Sequence, residues 1–423
     1  LRGLRQRACL LLERNTNWLA FPIHLENYMN NMSKSTPSNK GILIAAGIFS
    51  PDIGGPASYA QALASRLAET EKVTIVTYSS VWSSKDDEQF PFKVIRIWSR
   101  WPKGIKHLIY LVRATIQAKN NDLVFALNAV SAGLSARFAA RVFKKKFVVK
   151  IVGDSAWERA IGKGKTSLLL NDFQKVKHSG RARILHMLQF SVCKGAHMII
   201  VPSEYLSGIV HGWGIPSAKI KVVYNGSDFK VSLLSKEEAK KRLGITGNIL
   251  FTWGRLVPWK GFRMLIKIMP KLSEINQFFK LVIVGSGPDR VILEAMIKNM
   301  RLERKVILAG RKNLKEVAEY LATADITILN SGYEGFSHQI LEAMIAGVPL
   351  ITTNAGGNKE IIHQGQNGIM VKYNDEFNLI EVIRAVWNNP EMQEHFIKEG
   401  KKAASHFSVE KMYNETVTLL SQV

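Results

Sequence analysis

Short runs of β-branched and aliphatic residues alternate with helix-like segments along most of this 423-residue chain. A first series begins at Gly41, and a second series restarts the same pattern after the segment VVYNGSDF. Strands separated by helix-length segments are typical of parallel sheets with helical crossovers. The sequence therefore predicts an α/β fold with two Rossmann-like, doubly wound domains. The strand-like runs are, in order, ILIAAG, KVTIVTY, FKVIRIW, DLVFAL, FVVKIVG and HMIIVPS, then NILFTWG, KLVIVGSG, KVILAG, ITILN and VPLITT.

The two series also set the expected domain limits. We predict a first domain over residues 41–235 and a second over 236–405, because the charged segment SKEEAKKRLG interrupts the strand pattern between them. Residues 406–423 have the pattern of an amphipathic helix that could pack back on the first domain. Open parallel sheets bind ligands beyond the carboxyl ends of their strands, so the cleft between the two domains is the expected site.

The first 40 residues precede the first strand-like run and are basic, then mixed, then rich in Ser and Asn. Their apolar runs are short and no small-residue cleavage site follows, which argues against a targeting peptide but leaves it as an alternative. We interpret residues 1–40 as a disordered or non-native extension. One origin would be translation upstream of a start at Met29 or Met32.

The composition fits a folded protein with two cores, since 46% of the residues are hydrophobic. The two cysteines, Cys9 and Cys193, are far apart and lack metal-ligand spacing, which predicts neither a disulfide framework nor a zinc site. No window reaches the roughly 18 consecutive apolar residues of a spanning helix, so none is expected. We therefore expect a reducing, cytoplasmic location. Peripheral attachment to the inner face of the plasma membrane is compatible with that expectation.

Positive charge is concentrated in the first half of the chain. Of the net charge of +24, residues 1–235 contribute 33 basic and 14 acidic residues, and residues 101–200 contain 18 basic against 4 acidic. Such a field attracts polyanions or an anionic lipid surface. We expect the run at 144–183 to dock on an anionic membrane; a solvated basic face is the alternative. No nucleic-acid partner is expected, because aromatic residues are not interleaved with the basic runs.

A glycine pair follows the first strand, in the segment SPDIGGPASYAQ. Gly54 and Gly55 directly precede a helical pattern, so small residues would let backbone N–H groups approach an anion or a polar sugar. A turn that only links the strand to the helix is the alternative, since the segment is not a GxGxxG motif.

Two cations follow the first strand of the second domain, in LFTWGRLVPWKGF. Arg255 and Lys260 lie between a strand and a helix entry, where they could bind a diphosphate through charge-assisted hydrogen bonds. Basic residues near strand ends are common, so the pair alone does not establish a diphosphate-binding site.

The segment SGYEGFSHQILEAMIAGVPLITT carries two carboxylates, Glu334 in a predicted loop and Glu342 inside a predicted helix. The free N–H groups at the helix start favour a phosphate. At 1.5 Å per residue the carboxylates are about 12 Å apart along the axis, enough for one to bind a ribose and the other a hexose. The alternative is a solvated Glu334 and an exposed Glu342. The apolar neighbours of Glu342 predict a buried helix, where a carboxylate needs partners.

From about Gly41 to Val423 the chain resembles the retaining GT-B glycosyltransferases of family 4, or glycosyl transferases group 1. This family includes sucrose synthase-like, mannosyl and bacterial capsule transferases. The resemblance rests on GRLVPWKG, VIVGSGP, YEGFSHQILEAMIAGVPLITTNAGGNKEII and GQNGIMV, and more loosely on IFSPDIGGPASYAQALA and VVYNGSD.

The resemblance implies roles for individual residues. Arg255 and Lys260 would hold the donor diphosphate, Glu342 would bind the ribose, and Glu334 would contact the transferred sugar. The base would be bound by backbone groups, for example around Gly310. The sugar and phosphate would also be contacted by the start of the helix, at Gly335, Phe336, Ser337 and His338.

The implied activity is transfer of a hexose from a nucleotide-diphosphate sugar to a saccharide or lipid-linked saccharide acceptor, with retention, in cell-surface polysaccharide or glycolipid synthesis. No DxD segment occurs, so neither a metal nor a cofactor is expected. A nucleotide-sugar epimerase or a phosphorylase on the same scaffold is the alternative, and a nucleic-acid-binding protein, which the net charge of +24 suggests, is a further one.

The chain departs from the family in its first domain. Many relatives carry a His-x-His pair in the fourth strand, where this sequence has Phe125 and Leu127. Asp154 or Glu158, after the next strand, could supply a polar group near the acceptor instead. Asp154 could equally cap a helix that begins at Ser155.

Overall fold

The computed structural model describes residues 40–423 except Ile53, so the predictions for residues 1–39 lie outside the described part of the chain. It confirms the α/β fold with two parallel sheets. The first sheet has the strand order β3-β2-β1-β4-β5-β6-β7, and the second has the order β10-β9-β8-β11-β12-β13.

The strands have the following bounds. Those of the first sheet are β1 Gly41–Ala46, β2 Lys72–Ser79, β3 Lys93–Trp98, β4 Leu123–Ala126, β5 Lys146–Lys150, β6 Met198–Val201 and β7 Ile220–Val222. Those of the second sheet are β8 Asn248–Trp253, β9 Phe279–Val284, β10 Val306–Gly310, β11 Ile326–Leu329, β12 Leu350–Thr353 and β13 Ile369–Val371.

The α-helices connect these strands and cover both sheets. In the first half of the chain they are α1 Gly55–Leu67, α2 Lys103–Lys119, α3 Gly133–Val142, α4 Ser155–Gly162, α5 Leu170–Lys175, α6 Gly180–Lys194 and α7 Glu204–Gly212. In the second half they are α8 Lys236–Leu243, α9 Phe262–Ile275, α10 Arg290–Asn299, α11 Leu314–Thr323, α12 His338–Ala346, α13 Glu376–Trp387, α14 Pro390–Ala404 and α15 Val409–Ser421.

Each sheet is buried on both faces, which explains why its central strands are almost continuously apolar. In β1 all six residues are buried, and Leu43 and Ile44 pack into separate cores on opposite faces of the sheet. In β8 the neighbours Leu250 and Phe251 divide between two cores in the same way. Parallel pairing throughout places the carboxyl ends of all strands at one edge of each sheet.

In both sheets the chain reverses its direction of strand addition beside the first strand, between β1 and β4 and between β8 and β11. Ligands bind at such switch points, because the connecting helices leave on opposite sides and open a crevice. The loops that follow β1 and β8 contain the glycine pair and the Arg255–Lys260 segment that the sequence singles out.

The C-terminal helix α15 packs against α1 of the first domain. The Tyr59 and Tyr413 rings lie 5.7 Å apart, and the Arg66 guanidinium donates to Asn414 Oδ1 at 3.1 Å. Met412 and Leu420 complete the core on that face of the first sheet. The C-terminal helix α15 is therefore part of the first domain's packing, although it follows the second domain in the chain.

Direct contacts join the two domains. The Ser203 hydroxyl donates to the Gly335 carbonyl at 2.6 Å, and the Glu360 carboxylate accepts from the N–H groups of Glu204 and Tyr205 at 2.8 and 2.9 Å. An apolar cluster supports these polar contacts. Its rings include Trp157, which lies 5.2 Å from Trp259 and 4.8 Å from Tyr333.

Candidate active site

The loop after β8 places Lys260 in the site. Lys260 ends a short 3-10 turn, Pro258–Lys260, and the following Gly261 has φ +68°. A Cβ at Gly261 would lie 1.9 Å from the Asn330 carbonyl oxygen, so the chain can turn here only with glycine. This turn directs the Lys260 amine toward the loop after β11, where its Nζ lies 2.6 Å from Glu334 Oε1.

Glu334 is held rigidly at that position. The Glu334 carbonyl accepts from the Gly357 N–H at 3.0 Å, and a Cβ at Gly356, where φ is +58°, would collide with it at 1.9 Å. The side chains of Glu334 and Lys260 are 12% and 15% exposed, so the pair is largely shielded from water while keeping an accessible edge. The glycine pair of the AGGNKE segment thus sets the position of this carboxylate.

Gln339, in the first turn of α12, links the cation to β8. Its side-chain oxygen accepts from the Lys260 amine, and its amide nitrogen donates to the Trp253 carbonyl. Lys260 therefore bridges the loop after β11 and the first turn of α12. The sequence analysis did not assign Gln339; its only signal was its place in that first turn.

The start of α12 has the features of an anion site. The N–H groups of a first helical turn have no partners within the helix. The Ser337 hydroxyl is buried and makes no hydrogen bond to the described residues. Phe336 instead packs its ring 5.3 Å from Tyr224 and 5.3 Å from Phe407, so only its backbone is available to a ligand.

His338 keeps a solvent-accessible face, although protein atoms crowd its ring. This desolvation, and then the positive charge of Lys150, lower the pKa of His338, while the Gly226 backbone opposes the shift. The imidazole is accordingly neutral at pH 7, because its ordinary pKa is already below that value.

Glu342 lies on α12 with its carboxylate against β8. Trp253 Nε1 donates to Glu342 Oε2 at 3.0 Å, and desolvation raises the pKa of this carboxyl to about 7, against the opposing effects of Trp253 and Lys260. The apolar neighbours of Glu342 on α12 are buried as predicted, whereas Glu342 itself is half-buried. The sequence analysis missed its partner, Trp253. The position of this tryptophan at the end of the strand in LFTWG, where its indole N–H can reach a ligand or a side chain, was the only sequence feature that could have indicated it.

Two other predicted residues, Arg255 and Gly310, border the cleft. Arg255 is exposed in the loop after β8, and its charge reaches the carboxylate of Glu158 across the domain boundary. Gly310 ends β10 with φ +74°, and its carbonyl accepts from the Gly285 N–H at 2.8 Å. In this way Gly310 adjoins the glycine loop after β9, at the carboxyl edge of the second sheet.

Gly54 and Gly55 begin α1 at the carboxyl end of β1. A Cβ at Gly55 would meet no atom within 4 Å, and one at Gly54 would make only ordinary contacts at 3.8 Å. Packing of the described residues therefore does not require glycine at Gly55, and contact of the glycine pair with a ligand stays a prediction.

Lys150, which the sequence analysis did not assign, ends β5 on the same side of the sheet as α1. Its amine lies 3.7 Å from the centre of the Tyr59 ring and makes no hydrogen bond to the described residues. The side chain is 3% exposed, and burial lowers its pKa to about 7. No sequence signal distinguished it from the other lysines of this basic domain.

Asp154 is a helix cap rather than a free acceptor group. It accepts from the N–H groups of Ala156 and Trp157 at 2.8 and 3.0 Å, and from the side chains of Gln174 and Gln189. Protein donors surround this fully buried carboxylate, so its predicted place near the acceptor is wrong. The capping alternative is correct.

Glu158, the other candidate, lies in the first turn of α4 beside Gly153, where a Cβ would approach its Oε1 to 2.4 Å. Desolvation, and then the charge of Asp154, raise the pKa of Glu158 to about 7, with Arg255 opposing. It is a carboxyl group that can hold or release a proton near neutral pH on the first-domain side of the cleft.

Two known protein families match this chain over most of its length. Residues 53–231 match the family described as Glycosyltransferase Family 4, and residues 235–403 match the family described as Glycosyl transferases group 1. The chain belongs to the group 1 GT-B glycosyltransferases. The predicted GT-B, group 1 family is thereby confirmed, while retention of the anomeric configuration stays a prediction.

Individual relatives of this transferase are distant. An uncharacterized glycosyltransferase of Methanocaldococcus jannaschii is 29% identical over 252 residues, which are 57% of this chain and 64% of that protein. The N-acetyl-alpha-D-glucosaminyl L-malate synthase of Bacillus anthracis is 26% identical over 243 residues, 56% of this chain and 62% of that protein. The match thus spans just under two thirds of the length of these two relatives.

Solved structures share the GT-B fold with this transferase. Anabaena HepE in complex with UDP and glucose superimposes with a TM-score of 0.73 at 18% identity, covering 91% of this chain and all of HepE. No helix in the described part of the chain combines the length and apolar character that crossing a bilayer requires.

The fourth strand of this GT-B transferase confirms its departure from the family pattern. Phe125 and Leu127 are buried in the apolar core, 0% and 7% exposed. No imidazole reaches the cleft from these positions, so any polar group that faces the sugar from the first domain comes from elsewhere. Glu158 and Lys150 are the titratable groups described above on that side.

Proposed function

We propose that this transferase moves a hexose from a nucleotide-diphosphate sugar to a saccharide or lipid-linked saccharide acceptor, in polysaccharide or glycolipid synthesis, with retention of the anomeric configuration. The observation that supports the proposal most is the convergence of Lys260, Glu334 and the start of α12 in one shielded space. A cation, a carboxylate and unpaired N–H groups are there held in place before any substrate binds.

The diphosphate would occupy the start of α12. The helix dipole and the unpaired N–H groups favour an anion there, and the unpartnered Ser337 hydroxyl can donate to it. Lys260 and Arg255 add positive charge where the leaving group becomes negative. Preorganised charge of this kind is usually the largest catalytic contribution.

Glu342 would bind the ribose. One carboxylate oxygen accepts from the Trp253 indole, which fixes the group and leaves the second oxygen for a hydroxyl donor. Glu334 would lie beside the transferred sugar, where its negative charge favours an oxocarbenium-like transition state. These two roles agree with the positions of the carboxylates, since Glu334 precedes α12 and Glu342 lies in the middle of that helix.

In this proposal the positive charge that stabilises the leaving group comes from side chains, so the reaction requires neither a metal nor a cofactor. UDP-glucose is the first donor to test, since HepE, which shares the fold, was crystallised with it. Glu158 would contact the acceptor hydroxyl, because it lies on the first-domain side and faces the charge of Arg255.

The test is binding followed by turnover. We expect one of the UDP-, GDP- or ADP-sugars to raise the melting temperature, and the nucleoside diphosphate to be released only when an acceptor is present, with or without EDTA. NMR of the product would report the anomeric configuration. Release of diphosphate without an acceptor, or conversion of the donor to an isomeric sugar, would instead support the epimerase or phosphorylase alternative.

A further inference from the structure

Helix α2 of the first domain has two opposite apolar faces, and residues 40–423, as far as the structure describes them, cover only one of these faces. Tyr110, Ala114 and Ala118 face the core and are fully buried. On the other side four large aliphatic side chains are exposed to solvent. They are Ile105, Leu108, Val112 and Ile116, which are 46%, 61%, 49% and 52% exposed.

The spacing shows that these four side chains form one stripe. At about 100° per residue, positions 105, 108, 112 and 116 fall within an arc of roughly 80°, directly opposite the three buried residues. The stripe is about 17 Å long at 1.5 Å per residue. A surface helix normally carries polar residues on this face, so the exposed stripe needs a partner.

Tryptophan extends the stripe beyond the start of the helix. Trp101 precedes Ile105 by one helical turn and is 37% exposed; Trp82 is 61% exposed and lies 6.2 Å from it, edge to face. Trp82 also stacks on Trp98 at 4.9 Å. Tryptophan is favoured where one side of a ring meets an apolar phase and its N–H meets water, as at a bilayer surface.

The segment that begins with α2 is strongly basic, whereas three acidic residues, Asp86, Asp87 and Glu88, follow Trp82, and Asp87 among them pairs with Arg96 at 2.6 Å. Residues 103–153 contain ten basic residues and one acidic residue, Asp122. Asp122 is already engaged, because it accepts from the Gly41 N–H at 2.9 Å and lies 3.8 Å from the Lys145 amine. Arg113 lies about a quarter-turn from the stripe, and neighbouring α3 adds the exposed Arg141.

We propose that the α2 surface, which consists of the four-residue stripe with Trp82 and Trp101, docks the protein on an anionic lipid bilayer. An apolar face bordered by basic residues is the pattern of a helix that lies in a membrane interface. A second copy of this chain is a poorer partner, since two such basic faces repel each other. The predicted docking run at 144–183 contains none of the stripe residues.

The position of α2 connects this surface to the cleft. The helix begins five residues after β3 ends, so its tryptophan end lies at the carboxyl edge of the first sheet, where the cleft is. A lipid-linked acceptor held in that bilayer would therefore meet the cleft from its membrane side. Only this last statement rests on the proposed function; the docking itself does not.

Vesicle sedimentation of the full chain tests the proposal. The stripe variant is L108Q/V112Q/I116Q, and the matched control is V291Q/L314Q/F377Q, which changes three exposed apolar residues of the second domain (73%, 62% and 72% exposed). On phosphatidylcholine vesicles with about 30 mol% phosphatidylglycerol, we expect the stripe variant to bind about tenfold or more weakly than the native chain. The control variant should bind like the native chain, and salt should weaken binding.

Equal vesicle binding by the native chain and the stripe variant would overturn the proposal. So would the absence of binding by the native chain, or a dimer in sedimentation velocity that the stripe variant abolishes without any effect on vesicles. UDP affinity, measured on the same preparations, separates the two hypotheses. The stripe variant should keep the native affinity, whereas a native chain that binds vesicles but no nucleotide would refute the proposed function alone.

Discussion

Replacement of Glu342 by Gln should stabilise the protein at pH 8 and weaken its binding of nucleotide. Desolvation raises the pKa of this carboxyl from 4.5 to about 7. At 1.36 kcal/mol per pKa unit, the folded state is destabilised by about 3 kcal/mol once the carboxyl is ionised. Gln keeps an oxygen that can accept from the Trp253 indole, so the substitution removes the charge and leaves the hydrogen bond.

The raised pKa determines how the stability difference between the native protein and E342Q changes with pH. Below about pH 4.5 the carboxyl is protonated in both states, and native and variant should be equally stable. Between pH 4.5 and 7 the folded state holds a proton that the unfolded state has lost, so the stability of the native protein falls as pH rises. Above pH 7 the full difference remains and should raise the melting temperature of E342Q by about 4 °C, because a chain of 423 residues has an unfolding entropy of about 0.9 kcal/mol/K.

Calorimetric or fluorescence melting at pH 5 and pH 8 measures this effect. Glu376 provides a control of opposite sign, because the amines of Lys267 and Lys271 lower its pKa to about 2. Its ionised form stabilises the fold at neutral pH and ceases to do so as pH falls toward 2, so E376Q should melt lower than the native protein at pH 8.

Nucleotide binding provides the second measurement. A hydrogen bond to a charged group contributes about 1.5–3 kcal/mol, so loss of the ribose contact should weaken UDP binding by about tenfold or more at pH 8. A variant that melts at the native temperature at both pH values would refute the assigned burial of Glu342. A variant that melts higher but binds UDP as the native protein does would refute its role at the ribose.

Three further substitutions test other parts of the site. Glu334→Gln should leave UDP affinity largely intact and lower turnover; equal losses of both would contradict a role at the sugar. Lys150→Met should raise the melting temperature at pH 6, because burial lowers the pKa of this amine to about 7 and the folded state is penalised below that value. The gain should shrink as pH rises toward 10, and Lys146→Met, at the exposed end of the same strand, should show none. Gly55→Ala should preserve or slightly raise stability, since its Cβ meets no atom within 4 Å, but should lower turnover if substrate approaches the glycine pair; unchanged turnover would argue for a simple linking turn.

The strands, helices and family of this protein could be predicted because they depend on local pattern. Alternation of apolar runs with helical segments specified two parallel sheets, and the Gly347 that ends α12 adopts φ +70° as expected of a helix stop. The roles of Lys260, Glu334 and Glu342 remain predictions, although the structure places Lys260 and Glu334 beside the start of α12 and Glu342 in the middle of that helix.

The sequence by itself determined the element order, the family and the segments from which the site is built, because those properties reside in residues close together along the chain. Only the tertiary structure decided their partners. Trp253 meets Glu342 across 89 residues, and Asp154 is enclosed by Gln174 and Gln189 instead of facing the cleft. The uncovered face of α2 is equally a tertiary property. An apolar residue in a sequence does not show whether another part of the fold will cover it.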